Sequence, residues 1–235
     1  MVSSLARALE HDLRARADPA RREATRDYFP SALEILGVPA GDIRAVIRAH
    51  RGAWRALPAA AVVELARELH AGGTHEGRQA AYEILEQRED AAGLLDPETV
   101  RALGAGNDNW ASVDTFATRV AGPAWREGRI PDTAVREWAG SADRWWRRTA
   151  VVSTVALNQE SRGGTGDVPR TLDICRRVAA DADPMVAKGL SWALRALSVR
   201  KPAAVRAFLD EAGEGLPARV RREVRNKLET GRKNP

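Results

Sequence analysis

Residues 184–199 read PMVAKGLSWALRALSV, and their spacing decides the fold. Val186, Leu190, Leu194 and Leu197 recur at helical intervals, which predicts an α-helix with one buried stripe. Lys188, Trp192 and Arg195 fall on a different face; at about 100° per residue, Trp192 lies roughly 200° from both Leu190 and Leu194. Two arrangements satisfy that pattern. Either an indole stands between two cations on an open face, as nucleic-acid surfaces use them, or the helix is sandwiched and buries a second face.

Outward from this segment the same periodicity holds nearly everywhere. Alternating β-branched runs are missing apart from residues 150–157, which the flanking pattern absorbs into a helix. The fold class expected is therefore all-α. Helix punctuation at Pro30, Gly37-Val38-Pro39, Pro58, Gly72-Gly73, Pro97, Gly122-Pro123, Pro131, Pro184, Pro202 and Gly213 to Pro217 divides the chain. About a dozen segments of roughly 9 to 18 residues result, joined by short polar turns. A helix pair then occupies roughly 35 to 45 residues, the period of HEAT-type repeats, whose pairs must stack because none buries its own apolar face. The expectation is one domain over residues 1–235, an α-α superhelix of such repeats around a concave, positively charged groove; a plain helical bundle is the alternative. The Gly-rich stretch QESRGGTGDV, residues 159–168, lacks the order of a phosphate loop and reads as a flexible connector.

Composition narrows the function classes. The chain carries 37 Lys+Arg against 32 Asp+Glu, a net charge of +5 that suits a polyanionic partner without demanding one. Its basic character is almost wholly arginine, since Lys188, Lys201, Lys227 and Lys233 are the only lysines. Cys175 is the single cysteine, which excludes an internal disulfide, and His11, His50, His70 and His75 show no ligand spacing, so no metal and no cofactor is expected. Charges interleave the apolar positions of residues 1–17, and no stretch has the roughly 18 apolar residues of a span, so the expected location is the cytosol, without membrane association.

Two further segments carry side chains that core packing alone does not require. In Asn109-Trp110-Ala111-Ser112-Val113-Asp114, the buried stripe of a helix continues through Val113, Phe116, Ala117 and Val120, leaving Trp110 and Asp114 together one turn apart at its edge. An edge tryptophan beside a helix-start aspartate is the bland explanation. In Arg144-Trp145-Trp146-Arg147-Arg148, Arg148 projects into the sector of Val151, Val152 and Val155, where a charge is costly unless a partner anion meets it, Asp114 or a DNA phosphate, or its head snorkels outward at the helix entrance. Arg200, Lys201 and the tail Arg222 to Lys233 are basic enough to touch flanking DNA, yet read first as a solvated charged tail.

These segments, in this order, resemble the AlkD family of HEAT-like-repeat DNA glycosylases, which excise cationic alkylpurines. Trp110 to Asp114 is similar to the family's tryptophan-plus-aspartate segment, Trp145 to Arg148 to its W-x-x-R helix, and Lys188 to Arg195 to its KxxxWxLR helix. Tyr28, the run to Leu36-Gly37-Val38, and Gln79-Ala80-Ala81 add weaker likeness, and the whole extends from about residue 26 to residue 211. One departure is Pro39, where family prototypes carry a polar residue after the turn.

The resemblance implies a metal-independent, monofunctional glycosylase that initiates base excision repair on duplex DNA containing 3-methyladenine, 7-methylguanine or bulkier N3 and N7 adducts, acting as a monomer. It implies Asp114, Trp110, Trp192 and Arg148 at the chemistry. Tyr28, Arg44, Arg48, Lys188 and Arg195 are the candidate DNA contacts. Two alternatives stand beside it: a non-catalytic helical-repeat protein that binds branched or distorted DNA, and a HEAT-type scaffold for protein partners.

Overall fold

A computed structural model describes residues 1–234, the side chain of Asp27 excepted. The described residues form seventeen α-helices and no strand; Glu34 and Thr74 make an isolated bridge. No described helix is long and apolar enough to cross a membrane. The chain divides into two compact units, residues 1–120 and 121–235.

The first unit holds α1 (Val2–Arg14), α2 (Pro19–Tyr28), α3 (Ala40–Ala49), α4 (Arg51–Arg55), α5 (Ala59–Ala71), α6 (His75–Glu86), α7 (Glu89–Ala92), α8 (Pro97–Gly104) and α9 (Trp110–Phe116). Its core gathers around α5 and α6, against which α1, α3 and α9 pack through Leu9, Leu13, Val46, Ile47, Leu65, Leu69, Ile84 and Phe116, all buried. Helix starts follow local chemistry. Asp18 precedes Pro19 and accepts from the amides of Ala20 and Arg21, and Asp96 precedes Pro97 and accepts from Thr99. In both, the cap satisfies a first-turn amide while proline occupies a position where no donor is needed.

The turn between α2 and α3 is held by a buried carboxylate. Glu76, 2% exposed, accepts from the amides of Leu36 (3.0 Å), Gly37 (2.8 Å) and Val38 (3.2 Å). Three donors converging on one carboxylate compensate the loss of water around it. Gly37 has φ +83°, and a Cβ there would stand 2.4 Å from the carbonyl oxygen of Asp18, so only glycine fits. Pro39 follows at the N-cap of α3, where its missing amide is no loss.

The second unit holds α10 (Gly122–Arg126), α11 (Asp132–Ala139), α12 (Arg144–Ser153), α13 (Val155–Asn158), α14 (Val168–Arg177), α15 (Pro184–Arg200), α16 (Pro202–Ala212) and α17 (Ala218–Thr230). Here α15 is central, packed by α12, α13, α14, α16 and α17. Its stripe of Val186, Leu190, Leu194 and Leu197 is fully buried as the periodicity predicts. Gly189, Ser191, Ala193 and Ala196 are buried too, so the helix is packed on more than one side, while the face of Lys188, Trp192 and Arg195 stays half-buried. Close approach explains the small residues: a Cβ on Gly189 would lie 3.0 Å from Val151 Cγ1 and 3.2 Å from Val152 Cγ2.

Several elements are shorter than the sequence pattern suggests. Residues 150–157 are helical but broken at Thr154, whose hydroxyl donates to the Val151 carbonyl. The 159–168 stretch is a connector, yet one tied down by its own backbone: a short turn at Glu160–Arg162 is followed by Gly164 and Gly166 amides that donate to the carbonyls of Gln159 and Leu157.

Two outcomes follow from this packing. Gly37→Ala should lower unfolding stability by at least about 2 kcal/mol in a denaturant titration, because it adds both an unfavourable φ and a backbone clash. His70 supplies the second. Burial, with the Arg78 charge adding to it, lowers its pKa from 6.5 to about 4. The neutral ring is thus the folded form, and its stabilising effect is complete above about pH 6.5 and lost as pH falls toward 4. The melting temperature of wild type should fall over that window more steeply than that of His70→Gln; parallel curves would refute the assignment.

Candidate active site and nucleic-acid interface

In the first unit the site-forming element is α9. Asn109 caps it, accepting from the Ser112 amide at 2.9 Å, while its own amide donates to Ser31 Oγ at 3.2 Å. Asp108 accepts from the Ser31 hydroxyl and the Ala32 amide. Residues 31 and 32 are thereby fastened to the start of α9, and the aromatic pair just before them is brought onto Trp110. Tyr28 meets the Trp110 ring edge-on, with centroids 5.3 Å apart, and Phe29 does so at 5.7 Å. Phe29 also contacts His75 at 5.2 Å, on α6. Tyr28 remains 70% exposed, so it can touch a ligand as well as steady the indole.

Val113, Phe116, Ala117 and Val120 are buried as expected, whereas Trp110 and Asp114 are half-buried. An indole and a carboxylate thus sit side by side on the helix edge. Beyond Asp114 the backbone changes: residues Ala117–Ala121 wind as a wider π-helical turn. The Thr118 hydroxyl donates to the Asp114 carbonyl at 2.7 Å, and Pro123, which has no amide, follows shortly after. Nothing in the apolar period announces this turn; only the Thr and Pro hint at it.

In the second unit Arg148 is 5% exposed, and its guanidinium donates to the Met185 carbonyl in the first turn of α15. It therefore ties α12 to the helix that carries Trp192. On α15, Trp192, Lys188 and Arg195 are all half-buried along the strip that the packing leaves open. Ser191, beneath them, donates to the buried Glu223 of α17 at 2.6 Å and accepts from Arg195 Nε at 3.2 Å. Glu223 also accepts from Arg219 at 2.8 Å. Burial pulls the Arg195 pKa below its ordinary value, opposed by the Glu223 charge.

The remaining cations differ in how committed they are. Arg44 is exposed on α3 but lies 3.3 Å from the buried Glu83, which also receives Arg119 at 3.5 Å. Arg48 is exposed on the same helix. Sequence reasoning passed over Arg200, Lys201 and Lys227 as solvated charge, yet they line one cavity of about 600 Å³ with Trp192 and Arg195. For Arg200 and Lys201 the signal was closeness along the chain to Trp192, since they end and cap the same helix; Lys227 lies on α17 and arrives through the packing of α17 on α15, which spacing does not reveal. Among the described residues no group of three or more His, Cys, Asp or Glu side chains is placed to hold a metal ion.

Comparison with known proteins bears on these features. No curated protein matches the sequence. Among solved structures the fold is similar to that of a protein described as a predicted DNA alkylation repair enzyme from Enterococcus faecalis, with a TM-score of 0.71 and 18% identity, covering 92% of this chain and 98% of that one. The model of the DNA alkylation repair enzyme family matches residues 9–228, a range that takes in α9, α12 and α15 with their tryptophans and arginine. The chain belongs to the DNA alkylation repair enzyme family.

Proposed function

We propose that the protein is a DNA glycosylase of the HEAT-like AlkD type, hydrolysing the N-glycosidic bond of cationic alkylated purines in duplex DNA to initiate base excision repair. The observation that carries this reading is the pairing on α9: a half-buried carboxylate one turn from an indole that is braced by Tyr28 and Phe29.

The chemistry suits those groups. Alkylation at N3 or N7 gives the purine a positive charge, so the base departs as a neutral molecule and no strong general acid is needed. As the bond breaks, positive charge develops on the sugar at C1′ and O4′. Asp114 offsets that charge and orients the water that adds to C1′, taking up its proton as the new C–O bond forms. Trp110 and Trp192 supply electron-rich faces against deoxyribose and backbone. Arg148, already fixed by the Met185 carbonyl, contributes positive charge toward the adjacent phosphate. Tyr28, Arg48, Lys188 and Arg195 are the proposed DNA contacts; Arg44 joins them through its exposed guanidinium, the buried Glu83 keeping Arg119 as its partner.

The test is release of free 3-methyladenine and 7-methylguanine from methylated duplex DNA, with and without a chelator, by wild type and Asp114→Asn. Wild type should release both in the presence of chelator. The variant should be at least about 100-fold slower while its DNA affinity changes less than about threefold. The affinity of each should fall with salt by about 0.9 logarithmic unit per phosphate contact and decade of salt. No release by wild type, with DNA binding retained, would replace this reading with a glycosylase specialised for bulky adducts or with a non-catalytic DNA-binding protein, which release of a bulky N3 or N7 adduct then separates.

A further inference from the structure

The cavity beside Trp192 lies wholly within the second unit and has a lining that duplex grip alone does not call for. Its volume is about 600 Å³, within the range of roughly 300 to 1,000 Å³ typical of small-ligand sites. Arg195, Arg200, Lys201 and Lys227 line it against one carboxylate, Glu160. Glu160 is 87% exposed in its side chain and only 3.1 Å from Arg200, an exposed pair that an incoming anion can replace at small cost.

The wall opposite α15 is built into the fold. Gly166 has φ +94°, and a Cβ there would come within 3.2 Å of Lys201 Cε and 3.1 Å of Arg200 Cβ, so the loop lies flush against the stems of both cations. Gly164 is closer still to the Asn158 backbone, at 2.5 Å for a built Cβ, and Arg126 donates to the carbonyls of Ala156 and Arg162. The glycines of QESRGGTGDV therefore serve close approach, which explains a composition that otherwise reads as mere flexibility.

A separate observation concerns Asn158, which also lines the cavity. It is 1% exposed, and its amide donates to the Thr154 carbonyl and to Thr171 Oγ1. Its Oδ1 is buried and accepts from no group among the described residues. A buried acceptor without a donor is costly, and an N–H or O–H brought by a ligand, directly or through a water, removes that cost. A phosphodiester supplies neither that donor nor a flat face for Trp192, and inorganic phosphate, whose P–OH can donate, still lacks the face. A ligand with an anionic end, an aromatic face and polar hydrogens meets all three demands.

We propose that this cavity binds a single unpaired nucleotide, its phosphate between Arg200 and Lys201, its base against Trp192, and one of its polar hydrogens directed to Asn158. The inference rests on the DNA-binding part of the reading above, and it extends that reading from paired duplex to a displaced neighbour of the lesion or a free nucleoside monophosphate.

Binding to the full chain is to be measured by calorimetry with dAMP, deoxyadenosine and inorganic phosphate, for wild type and Lys201→Ser, with circular dichroism confirming that the variant is folded. The expected result is that wild type binds dAMP at least tenfold more tightly than either fragment, and that Lys201→Ser weakens dAMP at least fivefold. A parallel arm compares a fully paired methylated duplex with one carrying a single bulged nucleotide beside the methylpurine. Preference for the bulged duplex that disappears in Lys201→Ser identifies the displaced nucleotide as the ligand; discrimination among the small molecules alone identifies the free nucleotide. Equal binding of dAMP and inorganic phosphate, or no binding of dAMP together with no preference for the bulge, overturns the proposal. Excision from paired duplex is scored separately, so loss of the glycosylase reading and loss of the nucleotide site give different patterns.

Discussion

A helix packed from several directions must carry small residues wherever a neighbour comes close, and α15 meets that constraint with Gly189, Ser191, Ala193 and Ala196. The consequence is positional. Once α12 occupies the Gly189 side and α17 the Ser191 side, the strip left for large polar side chains is narrow, and Lys188, Trp192 and Arg195 fill it. Polar bonds between layers set the height of that strip. Arg148 holds the start of α15 through the Met185 carbonyl, and Glu223 holds its middle through Ser191. What the second unit displays thus follows from how its most buried helix is covered.

The first unit reaches a similar end by capping rather than by layering. α9 is only seven residues long, too short to be stable by itself, so its placement depends on what grips its ends and its buried face. Asn109 and Asp108 bind the preceding strap of chain at Ser31 and Ala32, and the strap carries Tyr28 and Phe29 onto Trp110. The other end opens into the π-helical turn, where the Asp114 carbonyl takes a second donor from Thr118. Glu76 steadies the turn that leads from the strap into α3. Carboxylates and amides here do the structural work that apolar area does elsewhere, and they do it next to the candidate chemistry.

Much of this was legible before any coordinates. The all-α class and the buried stripes of α9 and α15 follow from spacing, and the helix starts at Pro97, Pro184 and Pro202 from punctuation. The short helices α4, α7 and α13 did not, because four or five residues contain too little of a period to detect. Nor did Glu76, which stands in the polar run His75-Glu76-Gly77-Arg78, all four residues buried. Polar residues read as surface unless their partners are known, and the partners of Glu76 are backbone amides some forty residues away, at Leu36 to Val38. The position of Trp110 and Asp114 at a helix edge was predictable; the aromatic brace around Trp110 depended on a strap fastened by Asp108 and Asn109, which no period reveals.

Charge was the least legible property, and the reason is physical. A net +5 suggests a broadly basic surface, yet many arginines are already paired within the fold: Arg136 with Asp173, Arg147 with Asp181, Arg176 with Glu211, Arg119 with Glu83. Those pairs cancel in the far field, so the attraction a polyanion meets at close range comes from the smaller set whose acids are distant or easily exchanged. Trp192 is flanked by members of that set, from Lys188 through Arg195 to Arg200 and Lys201, while acids near them are either exposed, as Glu160 is, or buried and already bonded, as Glu223 is. The number of arginines therefore says little about where an anion would find free positive charge; the placement of the acids decides it.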